Sequence, residues 1–86
     1  MNIMSMNKSE KDLIARLSVD EMNVINNLLY DWFNKHKHSP TIDKATLNLY
    51  KDSIIVRDIG MYGHLDNFAI ETLNDAVSII NLVNKP

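Results

Sequence analysis

Residues 46–59, TLNLYKDSIIVRDI, decide the fold, because their apolar residues fit two different structures. If the chain turns at Lys51 and Asp52 to form a β-hairpin, apolar residues of the two strands lie opposite each other on one face. Its apolar face would carry Leu47, Leu49, Ile54 and Val56. Lys-Asp is not among the dipeptides that favour a tight hairpin turn, so a short helix over residues 41–50 is the alternative. We predict the hairpin and leave residues 42–50 open between strand and helix.

A long helix is predicted on the N-terminal side of this stretch, from Val19 to about Lys37. Ser18 and Glu21 form a capping-box pattern at its start, and Pro40 disfavours its continuation. At 100° per residue, one face of this helix is apolar. That face contains Met22, Ile25, Leu28, Leu29, Trp32 and Phe33.

A shorter helix is predicted before it, over residues 10–17, EKDLIARL. Ser9 would cap this helix, and its leucines and isoleucine must dock on the rest of the protein because so short a helix does not persist alone. Residues 1–6 carry no clear periodicity and are expected to be disordered.

The last predicted helix runs from Asn67 to Val83, after a turn at residues 60–63, GMYG. Asp66 is the expected N-cap, and the apolar residues cover about half the circumference. The sequence therefore predicts an α+β fold of order helix-helix-β-hairpin-helix. Residues 7–86 form its single domain, and the long second helix and the C-terminal helix form its core.

The composition limits what the chain can do. Its 86 residues contain no cysteine, so neither disulfides nor thiolate metal sites are available to stabilise it. Such small domains often gain stability by self-association, and we expect a homodimer through the last helix. Without a signal peptide or a run of about 20 apolar residues, we expect a cytoplasmic protein with no membrane partner.

No catalytic or metal-binding motif is present in the sequence. His36 and His38 are two residues apart and therefore lie on different faces of a helix, and His64 lies far along the chain. Neither a nucleophile elbow nor a phosphate-binding loop occurs. We therefore predict a non-enzymatic protein that holds no metal and no cofactor.

Exposed aromatic residues favour a protein-binding function. Tyr30, Tyr62 and Phe68 lie off the predicted apolar faces, and aromatic side chains carry much of the energy of protein interfaces. We predict a small protein-binding or regulatory module whose partner is another protein. Phage and mobile-element accessory proteins that bind and inhibit a host protein are typical of this kind of sequence.

A nucleic-acid-binding domain is the alternative. Residues 35–57 are the basic part of the chain, and five side chains there would contact phosphates. These are Lys35, Lys37, Lys44, Lys51 and Arg57. The sequence pI of about 5.8 is well below the range typical of nucleic-acid binders, so nucleic acid is the less favoured partner.

Overall fold

A two-stranded antiparallel hairpin precedes three helices in the computed structural model, which describes residues 1–84. The elements are β1 (Asn2–Asn7), β2 (Asp12–Arg16), α1 (Val19–His36), α2 (Lys44–Tyr62) and α3 (Asn67–Val83). The predicted order helix-helix-β-hairpin-helix is therefore wrong, and the chain is mostly helical. Residues 85–86 of the predicted domain lie outside the described residues.

The stretch TLNLYKDSIIVRDI forms the middle of α2 rather than a hairpin. Asp43 caps this helix by accepting a hydrogen bond from the Thr46 backbone N–H at 2.9 Å. The buried positions then follow the helical period, three or four residues apart. They are Leu47, Tyr50, Ser53, Ile54 and Asp58, whereas Leu49 and Val56, which the hairpin would have buried, are exposed. Residues 44–50 are thus helical.

The only strands among residues 1–84 lie at the start of the chain. Met6 pairs with Leu13 and Ile3 with Ala15, and a bulge between Ile3 and Ser5 adjusts the register. The predicted helix over residues 10–17 is wrong, because residues 12–16 form β2, which pairs with β1. The residues expected to be disordered, 1–6, include most of β1.

The helices α1 and α3 begin and end where the sequence predicts. Ser18 and Glu21 make both hydrogen bonds of the capping box of α1, and Asp66 caps α3 through the Ala69 N–H at 2.7 Å. In the predicted turn at residues 60–63, only Gly63 leaves the helix, with φ of 74° as the left-handed C-cap of α2. Gly60 is helical and lies against Val19, where a Cβ would come within 3.2 Å of a methyl group.

The core forms around α2, which packs against both α1 and α3. Its buried apolar side chains are Phe33, Ile42, Leu47, Tyr50, Ile54, Ala69 and Ala76. The prediction that the long second helix of the predicted order, which is α1 here, and the C-terminal helix α3 form the core is therefore wrong, since α2 lies between them and supplies much of the core. Asp58 is fully buried and joins α2 to α3, because it accepts hydrogen bonds from the Arg57 guanidinium at 2.7 Å and the Asp66 N–H at 3.3 Å.

The hairpin projects from the helices. Within the described part of the chain, each strand packs against the other strand and against none of the helices. The radius of gyration is 14.1 Å, whereas a compact chain of this length would have about 12 Å. The two regions of the molecule, the hairpin and the helical body of α1 to α3, are therefore joined by the chain and by an ion pair between the Met1 amino group and Glu21 of α1, but no strand packs on a helix.

Candidate protein-interaction surfaces

Two of the three predicted aromatic anchors meet on the surface of the helical body. Tyr30 of α1 and Phe68 of α3 have ring centroids 5.9 Å apart at an angle of 60°, a tilted geometry that aromatic rings favour. Both rings remain exposed, Tyr30 at 38% and Phe68 at 54%. We call these two residues the aromatic pair.

Two buried aromatic rings stack in the core of the helical body. Tyr50 of α2 is buried and stacks on Phe33 with centroids 4.8 Å apart. Burial raises the pKa of Tyr50 to about 12, and the nearby Tyr30 and Asp75 add to the rise. Its hydroxyl has no hydrogen-bond partner within residues 1–84. Tyr50 is therefore held in the core and lies close enough to Tyr30 of α1 to feel its charge.

The third predicted anchor, Tyr62, lies on a different surface. It is exposed near the C-terminal end of α2 and joins neither ring of the aromatic pair. Helical spacing places it on one face with Ile55 and Ile59, and Val56 borders them. All four side chains are exposed and uncharged. We call these four residues the α2 outer stripe.

One face of the hairpin forms a further apolar surface, which the sequence analysis missed because it assigned residues 10–17 to a helix. The pairing register places Ile3, Met6, Leu13 and Ala15 on the same face. The three larger side chains are all more than half exposed. We call these four residues the hairpin face. Residues 13–15 are apolar in succession, so the sequence shows no alternation that would have indicated this face.

Most of the basic side chains predicted to bind nucleic acid lie beside acidic side chains. Lys35 pairs with Asp31 at 3.0 Å, and Lys51 lies 3.5 Å from Asp52. The Arg57 guanidinium is largely buried on Asp58. Three of the five predicted residues are thus already next to carboxylates, which reduces the positive potential available to phosphates.

The other two, Lys37 and Lys44, line a groove of about 610 Å³ between the α1–α2 connection and the end of α3. His38 lies on the same wall, and the groove also has apolar walls that include Ile79 and Val83. Lys37 Nζ is 6.0 Å from the centre of the Phe33 ring. This mixed lining resembles ordinary partly covered surface more than a phosphate channel.

The histidines do not converge. His36 packs against the Trp32 ring with centroids 5.7 Å apart, and His64 Nδ1 lies 2.9 Å from the Tyr62 carbonyl oxygen. Among residues 1–84, no three histidine or carboxylate side chains are grouped as a metal site requires. Within the same residues, no helix combines the length and the apolar character needed to cross a bilayer.

The structure thus offers the aromatic pair, the hairpin face and the α2 outer stripe as surfaces for macromolecular contact. No protein-family model matches the chain, and no curated protein or solved structure is significantly similar to it.

Proposed function

We propose that the chain is a small protein-binding module that anchors another protein on the aromatic pair. The observation that carries the proposal is the convergence of Tyr30 and Phe68, which lie on different helices, meet at 5.9 Å and remain exposed. Clustered, partly exposed aromatic rings are the usual anchors of protein interfaces.

The surroundings of the aromatic pair also suit an interface. Asn27 and Asn34 lie on the same side of α1 as Tyr30 by helical spacing, and Asn34 Nδ2 donates a hydrogen bond to the Tyr30 carbonyl oxygen at 3.1 Å. These amides offer donors and acceptors around the rings without a strong net charge. An apolar centre with a polar rim is the common anatomy of protein interfaces.

We propose a regulatory role for the module, with which its small size is compatible. A domain of 86 residues that covers a surface of a larger protein competes with whatever else binds there. Inhibition of a host protein by a phage or mobile-element accessory protein is the form of regulation that we propose. The support for it is the type of sequence and the absence of a catalytic motif from it.

Capture from a lysate of the source organism tests this function. The immobilised chain is compared with a Tyr30→Ala/Phe68→Ala double variant and with Leu28→Ala. Leu28 is 68% exposed on the far side of α1 from Tyr30, so it controls for loss of an exposed apolar side chain. We expect a protein that wild type and Leu28→Ala retain after nuclease treatment and that the double variant loses.

Two results would contradict the proposal. Equal capture by the double variant would remove the aromatic pair as the anchor. Capture that disappears with nuclease and weakens steeply with salt would instead favour the nucleic-acid alternative, because phosphate binding is driven by counterion release. Circular dichroism of the double variant shows whether its helices remain folded.

A further inference from the structure

The hairpin face needs a cover that the described chain does not supply. An isolated two-stranded hairpin is at best marginally stable in water and normally requires a third layer against its apolar face. Here Ile3, Met6 and Leu13 are 55%, 61% and 54% exposed. A molecule that packs on this face would stabilise the hairpin by removing those side chains from water.

The total surface indicates how much is left to cover. The chain exposes 6306 Å², whereas a monomeric protein of 9.9 kDa would expose about 5200 Å². The excess of about 1100 Å² is comparable with the roughly 800 Å² that each partner contributes to a standard interface. The chain therefore exposes more surface than expected for a monomer of its mass, and the excess is about the size of one partner's share of an interface.

The α2 outer stripe is the best match for the hairpin face. Ile55, Val56, Ile59 and Tyr62 are exposed and uncharged, so no charge would be buried by contact with the equally uncharged hairpin face. A helix packed on the apolar face of a sheet is also a standard layer arrangement. Within one chain the two surfaces are not packed together.

We infer that two copies of the chain form a two-fold dimer in which the hairpin face of each copy packs on the α2 outer stripe of the other. Two-fold symmetry makes the contact twice, so both exposed surfaces of both copies are covered. A second copy is also the one cover present wherever the chain folds. The inference does not depend on the proposed function, because the aromatic pair lies on another surface.

This dimer uses surfaces other than those of the predicted dimer through the last helix. Part of the apolar arc of α3 is occupied within the chain, since Ala69 and Ala76 are fully buried and Leu73 and Ile80 pack against the same core. Of its outward positions, Glu71, Asn74, Asp75 and Ser78 are polar, whereas Ile70 and Val77 are apolar and remain 43% and 37% exposed.

Sedimentation equilibrium of full-length variants tests the inference. Leu13→Lys and Ile59→Lys place a charge in each half of the contact, and each should weaken the dimer by about tenfold or more. Two controls match them. Ile14→Lys changes the neighbouring residue on the other face of β2, where 62% of the side chain is exposed, and Leu28→Lys changes an exposed position on α1. Both controls should dimerise like wild type.

A wild-type chain that remains monomeric at every concentration would overturn the inference. Dimers that survive Leu13→Lys or Ile59→Lys, or that dissociate equally in the two controls, would also overturn it. Circular dichroism distinguishes dissociation from unfolding, since the helical body does not use the hairpin for its own packing.

Disulfide trapping gives a second readout, because the chain contains no cysteine of its own. Equimolar Leu13→Cys and Ile59→Cys variants should form a mixed disulfide dimer under mild oxidation. Faster linkage of Leu13→Cys to itself would mean that the hairpins face each other and would overturn the proposed packing.

Discussion

Leucines in the two regions of this molecule differ in burial. Leu47 of α2 is fully buried in the helical body, whereas Leu13 of β2 is 54% exposed on the hairpin face. The helical body covers its core residues with its own helices. The hairpin also has an apolar face, but no helix among residues 1–84 packs on it. Regular secondary structure and internal packing are therefore separate properties in this protein.

Replacing a leucine with alanine should give the largest difference in the free energy of unfolding between the two regions. Leu47→Ala leaves a cavity in the core and should lower the free energy of unfolding of the helical body by about 3 kcal/mol. Leu13→Ala should lower it by less than about 0.5 kcal/mol, because the side chain is not packed within the chain. Urea unfolding followed by circular dichroism, at low protein concentration, measures both. Similar losses would show that the hairpin packs on the helices.

Replacing one carboxylate in each region, Asp58 in the helical body and Asp12 in the hairpin, extends the comparison. Asp58→Asn weakens the contact with the Arg57 guanidinium in the buried junction of α2 and α3, and should cost about 2 kcal/mol. Asp12→Asn in the exposed hairpin should change the stability of the helices by less than about 0.5 kcal/mol. The same unfolding experiment compares them. An Asp58→Asn variant as stable as wild type would mean that the buried carboxylate does not hold the junction together.

Alkaline pH should destabilise the helical body through Tyr50. Its pKa is raised from 10.0 to about 12, so the folded state holds the proton more tightly than the unfolded state does. This stabilisation is complete below pH 10.0 and is lost as the pH rises towards about 12. The loss should reach about 1 kcal/mol midway through this range. Tyr50→Phe should remove this dependence, whereas Tyr62→Phe, which changes an exposed tyrosine, should keep it.

The smallest expected effect concerns a helix cap. Hydrogen bonds from the Thr46 hydroxyl and backbone N–H lower the pKa of Asp43 below 3.8. The stabilisation is therefore present above that pH and is lost as the pH falls through the lowered pKa. Asp43→Ala should lower the Tm by about 5 °C at neutral pH and by less in acid. Asn7→Ala, at the hairpin turn, should leave the Tm of the helices unchanged.

The two regions also differ in how far the sequence predicted them. The positions of α1 and α3 follow from local signals, since Ser18, Glu21 and Asp66 cap them and their apolar faces are periodic. In α2 the β-branched run Ile54, Ile55 and Val56 resembles a strand, and tertiary packing overrides that propensity. The hairpin depends on a bulge and on pairing across a four-residue loop, which no local signal in the sequence specifies.

The candidate surfaces could also be predicted only in part from the sequence. Helical spacing was enough to predict that Tyr30 and Phe68 are exposed, because each depends on one helix alone. Their contact depends on how α1 and α3 are arranged around α2, and a misassigned α2 could not give that arrangement. The hairpin face was missed for the same reason, since its four residues share a face only in the paired register.

Amide hydrogen exchange at several protein concentrations tests most directly the claim that the helical body is self-sufficient and the hairpin is not. Amides of the buried α2 positions should be protected equally at every concentration. Amides of the β1–β2 ladder should be protected at high concentration and exchange quickly at low concentration, as the second copy dissociates. Hairpin amides that stay protected at the lowest concentration would contradict the account, because the hairpin would then be stable without a partner.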